Sequence, residues 1–228
     1  MTGSEWRDGA VDALPITVAV APFAAVFGAL AVQAGWSVAM VMATSGTIFA
    51  GASQYVLLDL HGQGVPAWSV VLAVFVVNFR HVLYSASIGR RMAAFGTAQK
   101  ALAFFFLVDP QFAASEARSR RRVLRPAYWF GYAAVVYGTW MVFNLIGALS
   151  GRLIQAPERY GLDFILPVYF TCLIVGFRGQ SGFAGVLVVS AMVALAVHQS
   201  LGSPWHMLLG GLAGMVFAAA RTPRPSAA

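Results

Sequence analysis

Three residues in the stretch Trp68–Met92, WSVVLAVFVVNFRHVLYSASIGRRM, carry chemistry in the middle of a long apolar run: Asn78, Arg80 and His81. A guanidinium grips a carboxylate with two parallel hydrogen bonds, an amide both donates and accepts, and an imidazole changes charge near neutral pH. None of the three belongs in hydrocarbon. At 1.5 Å per helical residue, Arg80 lies about 15 Å from Arg90, the first charge of the following loop, and a snorkelling side chain recovers only part of that depth. On a helix of about 100° per residue, Asn78, His81 and Ser85 share one face and Arg80, Tyr84 and Ser87 another. Leu72, Phe75, Phe79, Val82 and Leu83 fill the remaining arc, the one arc that suits lipid. The pattern predicts a polar site inside a helical bundle rather than a snorkelling anchor.

The rest of the chain must place that helix. Of 228 residues, 59% are hydrophobic and 10% charged, and Ala13–Leu58 and Gly179–Ala220 hold no Asp, Glu, Lys or Arg at all. Each of those runs is long enough to cross a bilayer twice at about 20 residues per crossing. The alternating pattern of barrel strands is absent. The reading is an all-α, polytopic integral membrane helical bundle, with residues 1–228 forming one transmembrane domain, 1–12 an interfacial segment and 221–228 a disordered tail. The net charge of +7 comes from short loops beside spans, which orients a membrane protein and does not call for nucleic acid.

Taken in order, the first span covers about 13–33 and contains Pro15, Pro22 and Gly28. The second, about 36–58, is rich in small residues: Gly46 precedes Ala50 and Thr47 precedes Gly51 by four, a spacing that brings helix backbones close. Ser53 and Gln54 add groups that lipid cannot satisfy, so this span reads either as a close-packed interior helix or as a partly unwound one at a binding site. After the third span, basic residues flank a short apolar segment on both sides: Arg90, Arg91 and Lys100 before it, Arg118, Arg120, Arg121, Arg122 and Arg125 after it. That segment, 101–115, is too short for a comfortable crossing and is broken at Asp109-Pro110, which predicts a re-entrant hairpin with Asp109 near its tip. Further spans follow at about 127–150, 164–177, 183–199 and 205–220. Gly210 and Gly214 in the last form a second close-packing step, aimed at a partner subunit, another copy or this chain itself.

The total is seven crossings plus one hairpin. With the N-terminus outside, 11 Lys and Arg face the cytoplasm and 3 face out; making 45–58 re-entrant as well would keep the N-terminus inside. A short echo, Asp12–Pro15 against Asp163–Pro167, leaves inverted repeats open.

No His-Glu-x-x-His, Gly-x-Ser-x-Gly or phosphate-binding loop is present, and Cys172 is the lone cysteine, so neither an enzyme, a metal site nor a cofactor is expected. The buried polar inventory, Gln54, Asn78, Arg80, His81, Asp109 and Asn144, suits a small zwitterion or anion better than a metal ion, and apolar walls suit an apolar side chain. Arg80 needs an anion, and Asp109 is the acidic residue set within an apolar segment, so the two are expected to rest against each other when no substrate is bound. His81, beside Arg80, is the expected proton-coupling residue.

The strings PFAAVFGALAVQAG (22–35), SGTIFAGASQYVLL (45–58), NFRHVLYSASI (78–88), LVDPQFAAS (107–115) and GLDFILP (161–167) resemble the AzlC family, the large subunit of branched-chain amino acid exporters. Pro110 departs from the acidic or polar residue usual after the Asp of the fourth string. The resemblance implies a single transporter domain, a permease of the cytoplasmic (inner) membrane exporting leucine, isoleucine and valine, with methionine as a further candidate, beside a small hydrophobic AzlD-like subunit. Substrate contacts would come from Arg80, Asn78, Gln54, Ser53 and Asp109. The alternative is a non-transporting membrane subunit or channel component whose polar residues only knit helices together.

Overall fold

The computed structural model describes residues 2–151, 181–202 and 205–221, with positions 168, 171, 174, 175, 178 and 179. The expected loop from Arg152 to Asp163, most of the sixth span, Cys172 and the tail after Arg221 lie outside the described residues.

The described residues form nine helices: α1 Thr2–Gln33, α2 Val38–Thr47, α3 Gly51–Gly62, α4 Ala67–Gly89, α5 Thr97–Phe105, α6 Asp109–Ser119, α7 Pro126–Ser150, α8 Phe183–Ser200 and α9 Trp205–Arg221. Four are long and apolar enough to span a membrane, namely α1, α4, α7 and α8. Residues 2–12 form the first turns of α1. The helix runs unbroken from Thr2 through Pro15 and Pro22. Each proline removes one amide donor, and the packing of α1 along α7 holds the helix together across both.

That packing is a seam of glycines. A Cβ on Gly9 or Gly28 of α1, on Gly131 or Gly147 of α7, or on Gly151 that caps α7, would run into the facing helix backbone. The two helices run parallel: Asp12 accepts a hydrogen bond from the Tyr128 hydroxyl at 2.9 Å near their starts, and Gln33 Nε2 donates to the Gly151 carbonyl at 3.1 Å near their ends. Glu5 and Asp8 bind Arg118 at 2.8 and 3.3 Å. The N-terminus therefore stands on the arginine-rich face, as in the alternative that makes 45–58 re-entrant.

This placement follows from the second span, which is not a crossing. Ser37 caps α2 by accepting from the Met40 amide at 3.1 Å, the helix stops at Thr47, and α3 starts at Gly51 after a break at 48–50. The chain then doubles back, since the Trp36 ring at the entrance to α2 meets the His61 ring at the end of α3 at 5.8 Å. Hydropathy cannot tell such a hairpin from a crossing, because both are apolar over the same length. The 97–119 region is likewise a hairpin, broken at 106–108. It enters from the basic face, where Arg91 at the end of α4 pairs with Glu116 at 2.9 Å. The two hairpins thus enter from opposite faces and their breaks meet: the Phe49 ring lies 6.4 Å from that of Phe105 and 6.2 Å from that of Phe106.

Helices α8 and α9 form a pair. Gly210 and Gly214 face Ser190 and Ala194 of α8, so this step packs within the chain, and the expected contact with a partner at these glycines is already taken. The outer face of α4, Val71, Phe75, Phe79, Val82 and Leu83, stays exposed, as the lipid-facing arc requires.

Candidate functional site

Asp109 opens α6 and Pro110 follows it in the first turn. Pro fits there because its missing amide would have had no helical partner, and the carboxylate is favoured by the positive end of the helix dipole. Across from it, α3 begins at Gly51 behind Ala50, which offers no side-chain cap, and its first turn carries no acidic residue. A helix starting this way presents amide donors that its own backbone does not satisfy. Gly51 is held tight by rings, since a Cβ there would lie 2.8 Å from Trp140 and 2.9 Å from Phe23.

Both helix starts face one cavity of about 280 Å³, walled by Ile16, Val20 and Phe23 of α1 and by Val136 and Trp140 of α7. Arg80 and Asp109 are its charged members. Beyond them a vestibule of about 1110 Å³ opens toward the basic face, lined by Asp12, Tyr84, Glu116, Arg118, Arg121 and Tyr128 among others. Arg80 and Asp109 line both spaces, so the pair stands in the partition between the apolar cavity and the polar vestibule.

Arg80 Nη1 meets Asp109 Oδ2 at 2.8 Å, with the two side chains 23% and 19% exposed, enough burial to make the pair sensitive to losing either member. The Tyr84 hydroxyl donates to Asp109 Oδ1 at 2.8 Å, and its ring stacks on Phe112 at 4.3 Å. Asp109 therefore has both oxygens engaged. Arg80 does not: its Nε is buried without a partner, leaving a donor unused on the guanidinium fork. Tyr84 lies four residues from Arg80, and that i,i+4 spacing on a polar face is the signal by which the sequence marks it.

The other expected site residues are placed differently. Ser53 donates to Asn78 Oδ1 at 2.6 Å, tying α3 to α4. Gln54, fully buried, donates to Ser45 Oγ at 2.9 Å and accepts from Trp140 Nε1 at 3.1 Å, joining α2, α3 and α7. His81 has a buried Nε2 with no partner, and its ring lies 6.0 Å from that of Tyr84. Ser53, Asn78, Gln54 and His81 line neither space. Gly46 faces only the Tyr137 hydroxyl and the Met141 methyl, without backbone contact. No group of three His, Cys, Asp or Glu that could hold a metal is found among the described residues.

Two broken helices at membrane depth, their ends lining a cavity beside a charged pair, place polar groups where the protein itself can satisfy them. Comparison with known proteins places the chain among membrane proteins. The chain is 32% identical over 221 residues to the inner membrane protein YgaZ of Escherichia coli K12, covering 93% of this chain and 89% of that one. It is 32% identical over 201 residues to an uncharacterized membrane protein of Archaeoglobus fulgidus, covering 85% and 84%, and 25% identical over 194 residues to one of Helicobacter pylori, covering 81% and 84%. No solved structure matches significantly. The family described as AzlC protein matches residues 15–154, which hold both hairpins and the charged partition, and the chain belongs to that family of membrane proteins.

Proposed function

We propose that this chain is a permease of the cytoplasmic membrane that exports leucine, isoleucine, valine and similar apolar amino acids. The observation that carries the reading is the Arg80–Asp109 pair between the vestibule and the cavity. A free amino acid has one negative group, one positive group and an apolar side chain, and this site has a partner for each. The substrate carboxylate binds Arg80, whose fork gives two parallel hydrogen bonds, with the uncapped start of α3 facing the same space. The side chain lies against Ile16, Val20, Phe23 and Trp140. The basic face is the cytoplasmic one by the distribution of Lys and Arg, so the vestibule collects substrate from inside the cell.

Proton coupling and a small AzlD-like partner subunit are part of the proposal. The resemblance in sequence supports the partner. The competing reading, a non-transporting subunit, draws on the Ser53–Asn78 and Ser45–Gln54–Trp140 contacts, which satisfy one another and ask for no ligand.

Counterflow of radiolabelled leucine in proteoliposomes, with and without the small partner, separates the two. Saturable leucine exchange that Arg80→Lys abolishes without lowering expression is the expected result. A flat signal in both preparations would leave the non-transporting subunit.

A further inference from the structure

Building on the amino-acid reading, we infer that Asp109 is the acceptor for the substrate ammonium and the group whose protonation expels the substrate. The ion pair is already the negative of a zwitterion. One Asp109 oxygen is fixed by Tyr84 and the other faces Arg80 at 2.8 Å, while the buried Nε of Arg80 has no partner. An amino acid inserted between them takes Arg80 with its carboxylate and Asp109 Oδ2 with its ammonium. Tyr84 keeps the second carboxylate oxygen throughout. Each charge of the pair exchanges one partner for another, so neither is left bare in a partly buried site, the outcome that would be most costly.

The sign of coupling decides between this arrangement and one in which Asp109 is only a counter-ion displaced by substrate. If Asp109 merely competed with the substrate carboxylate for Arg80, protonating it would free Arg80 and help the substrate bind. Proton and substrate would then bind together and travel together. Export driven by protons moving inward needs the opposite, a site that one or the other occupies. An ammonium on Asp109 supplies it: the proton enters on Oδ2, the oxygen the ammonium leaves, and departs when an ammonium or Arg80 takes that oxygen again. Arg80, Tyr84 and His81 of α4 stand around Asp109, and the vestibule it lines adds Asp12 of α1, Tyr128 of α7, Glu116 and Arg118 of α6, and Arg120, Arg121 and Arg122 after it. Arg118 is engaged by Glu5 and Asp8, and Tyr128 by Asp12, which leaves Arg80 as the cation bound to Asp109. His81 lines neither space, whereas Asp109 lines both.

The test is equilibrium binding of radiolabelled leucine to the purified full chain over a series of pH values, with competition by N-acetyl-leucine and by leucinamide. For wild type, affinity should fall as the medium is acidified, by up to about tenfold per pH unit, the limit for one competing proton. Leucinamide, which keeps the ammonium, should compete weakly, and N-acetyl-leucine, which has lost it, should not compete. Asp109→Asn should bind leucine about tenfold or more weakly, as expected for loss of a charged hydrogen-bond partner, with a flat pH profile. N-acetyl-leucine competing as well as leucine would overturn the inference on wild type alone, whether or not the variant folds. So would an Asp109→Asn chain that binds leucine as tightly as wild type. Absence of any leucine binding by wild type would instead overturn the amino-acid reading, and this inference with it.

Discussion

The α2–α3 hairpin reaches the middle of the bundle with only neutral groups at its break, from Ile48 to Gly51, whereas α5–α6 arrives there with Asp109 as the first residue of its second helix. Both second helices start without a side-chain cap and face the same cavity. A helix start attracts an anion. The α6 start carries its own carboxylate, and the α3 start has no acid in its first turn. The polar groups of α3 are turned elsewhere, to Asn78, Ser45 and Trp140, where they hold helices in place. The comparison teaches that polar residues of similar type at similar depth divide into a structural set on one hairpin and a charge-bearing set on the other. What separates them is whether their partners lie within the fold.

The largest effect expected from this comparison is all-or-none. In a Cys172→Ser background, single cysteines at Gly3, Thr97 and Ser119 should react with an impermeant maleimide only from the basic face. A cysteine at Gln63, just after α3, should react only from the other. Labelling of Gln63 and Thr97 from the same side would turn α2–α3 into a crossing and remove the opposition of the two hairpins.

Next in size is the charged set. Asp109→Ala leaves Arg80 partly buried and unpaired, and should cost about 3 kcal/mol in denaturant unfolding. Arg80→Ala/Asp109→Ala should recover part of that loss while leucine counterflow stays absent. Recovery of transport in the double variant would mean the pair is structural and would erase the distinction between the hairpins.

How far the sequence discloses this arrangement depends on the kind of contact. The all-helical class, the polar faces of α4 and a break beside Asp109-Pro110 are legible because charge and proline in an apolar run have few outlets. The side on which the N-terminus lies is not, because the balance of Lys and Arg depends on how many times the chain crosses, and α2–α3 has the hydropathy of a crossing. That question is settled by contacts between distant residues, Trp36 with His61 and Glu5 with Arg118. The glycine seam between α1 and α7 lies between these cases. Gly147 and Gly151 have the close-packing spacing in plain view, as do Gly210 and Gly214, but spacing does not name the opposing helix. Gln54 shows the same limit in the site itself, since its type fits a ligand contact and only Ser45 and Trp140 reveal that its amide is already engaged.

Gln54 is therefore the residue that sharpens the comparison at intermediate size. Gln54→Leu strands the Trp140 indole N–H in a buried setting and should destabilise by about 1–3 kcal/mol in denaturant unfolding. Leucine affinity of the folded fraction should not change. A selective loss of affinity without loss of stability would move Gln54 into the charge-bearing set's role and make both hairpins binding elements.

The smallest expected effect is a difference of sign between two glycines on either side of the α2–α3 break. Gly46 lies in the last turn of α2, where a methyl group would meet the Tyr137 hydroxyl at 3.5 Å and the Met141 methyl at 3.7 Å, ordinary contact distances. Alanine also loses less backbone freedom in a helix than glycine, so Gly46→Ala should be neutral or stabilising by up to about 1 kcal/mol. Gly51, five residues on, is wedged between the Trp140 and Phe23 rings, which themselves pack in the main core cluster, and a methyl group at 2.8–2.9 Å forces both to move. Gly51→Ala should therefore cost about 1–3 kcal/mol as overpacking, outweighing the same helix propensity gain. Because Gly51, Phe23 and Trp140 also wall the cavity, their displacement should weaken leucine binding, while Gly46→Ala leaves it intact. Thermal unfolding and leucine binding measured on the two variants side by side check the pair. Equal effects at both positions would mean that the break at 48–50 is not pinned by these rings, and that the neutral hairpin owes its shape to something other than the packing of Gly51.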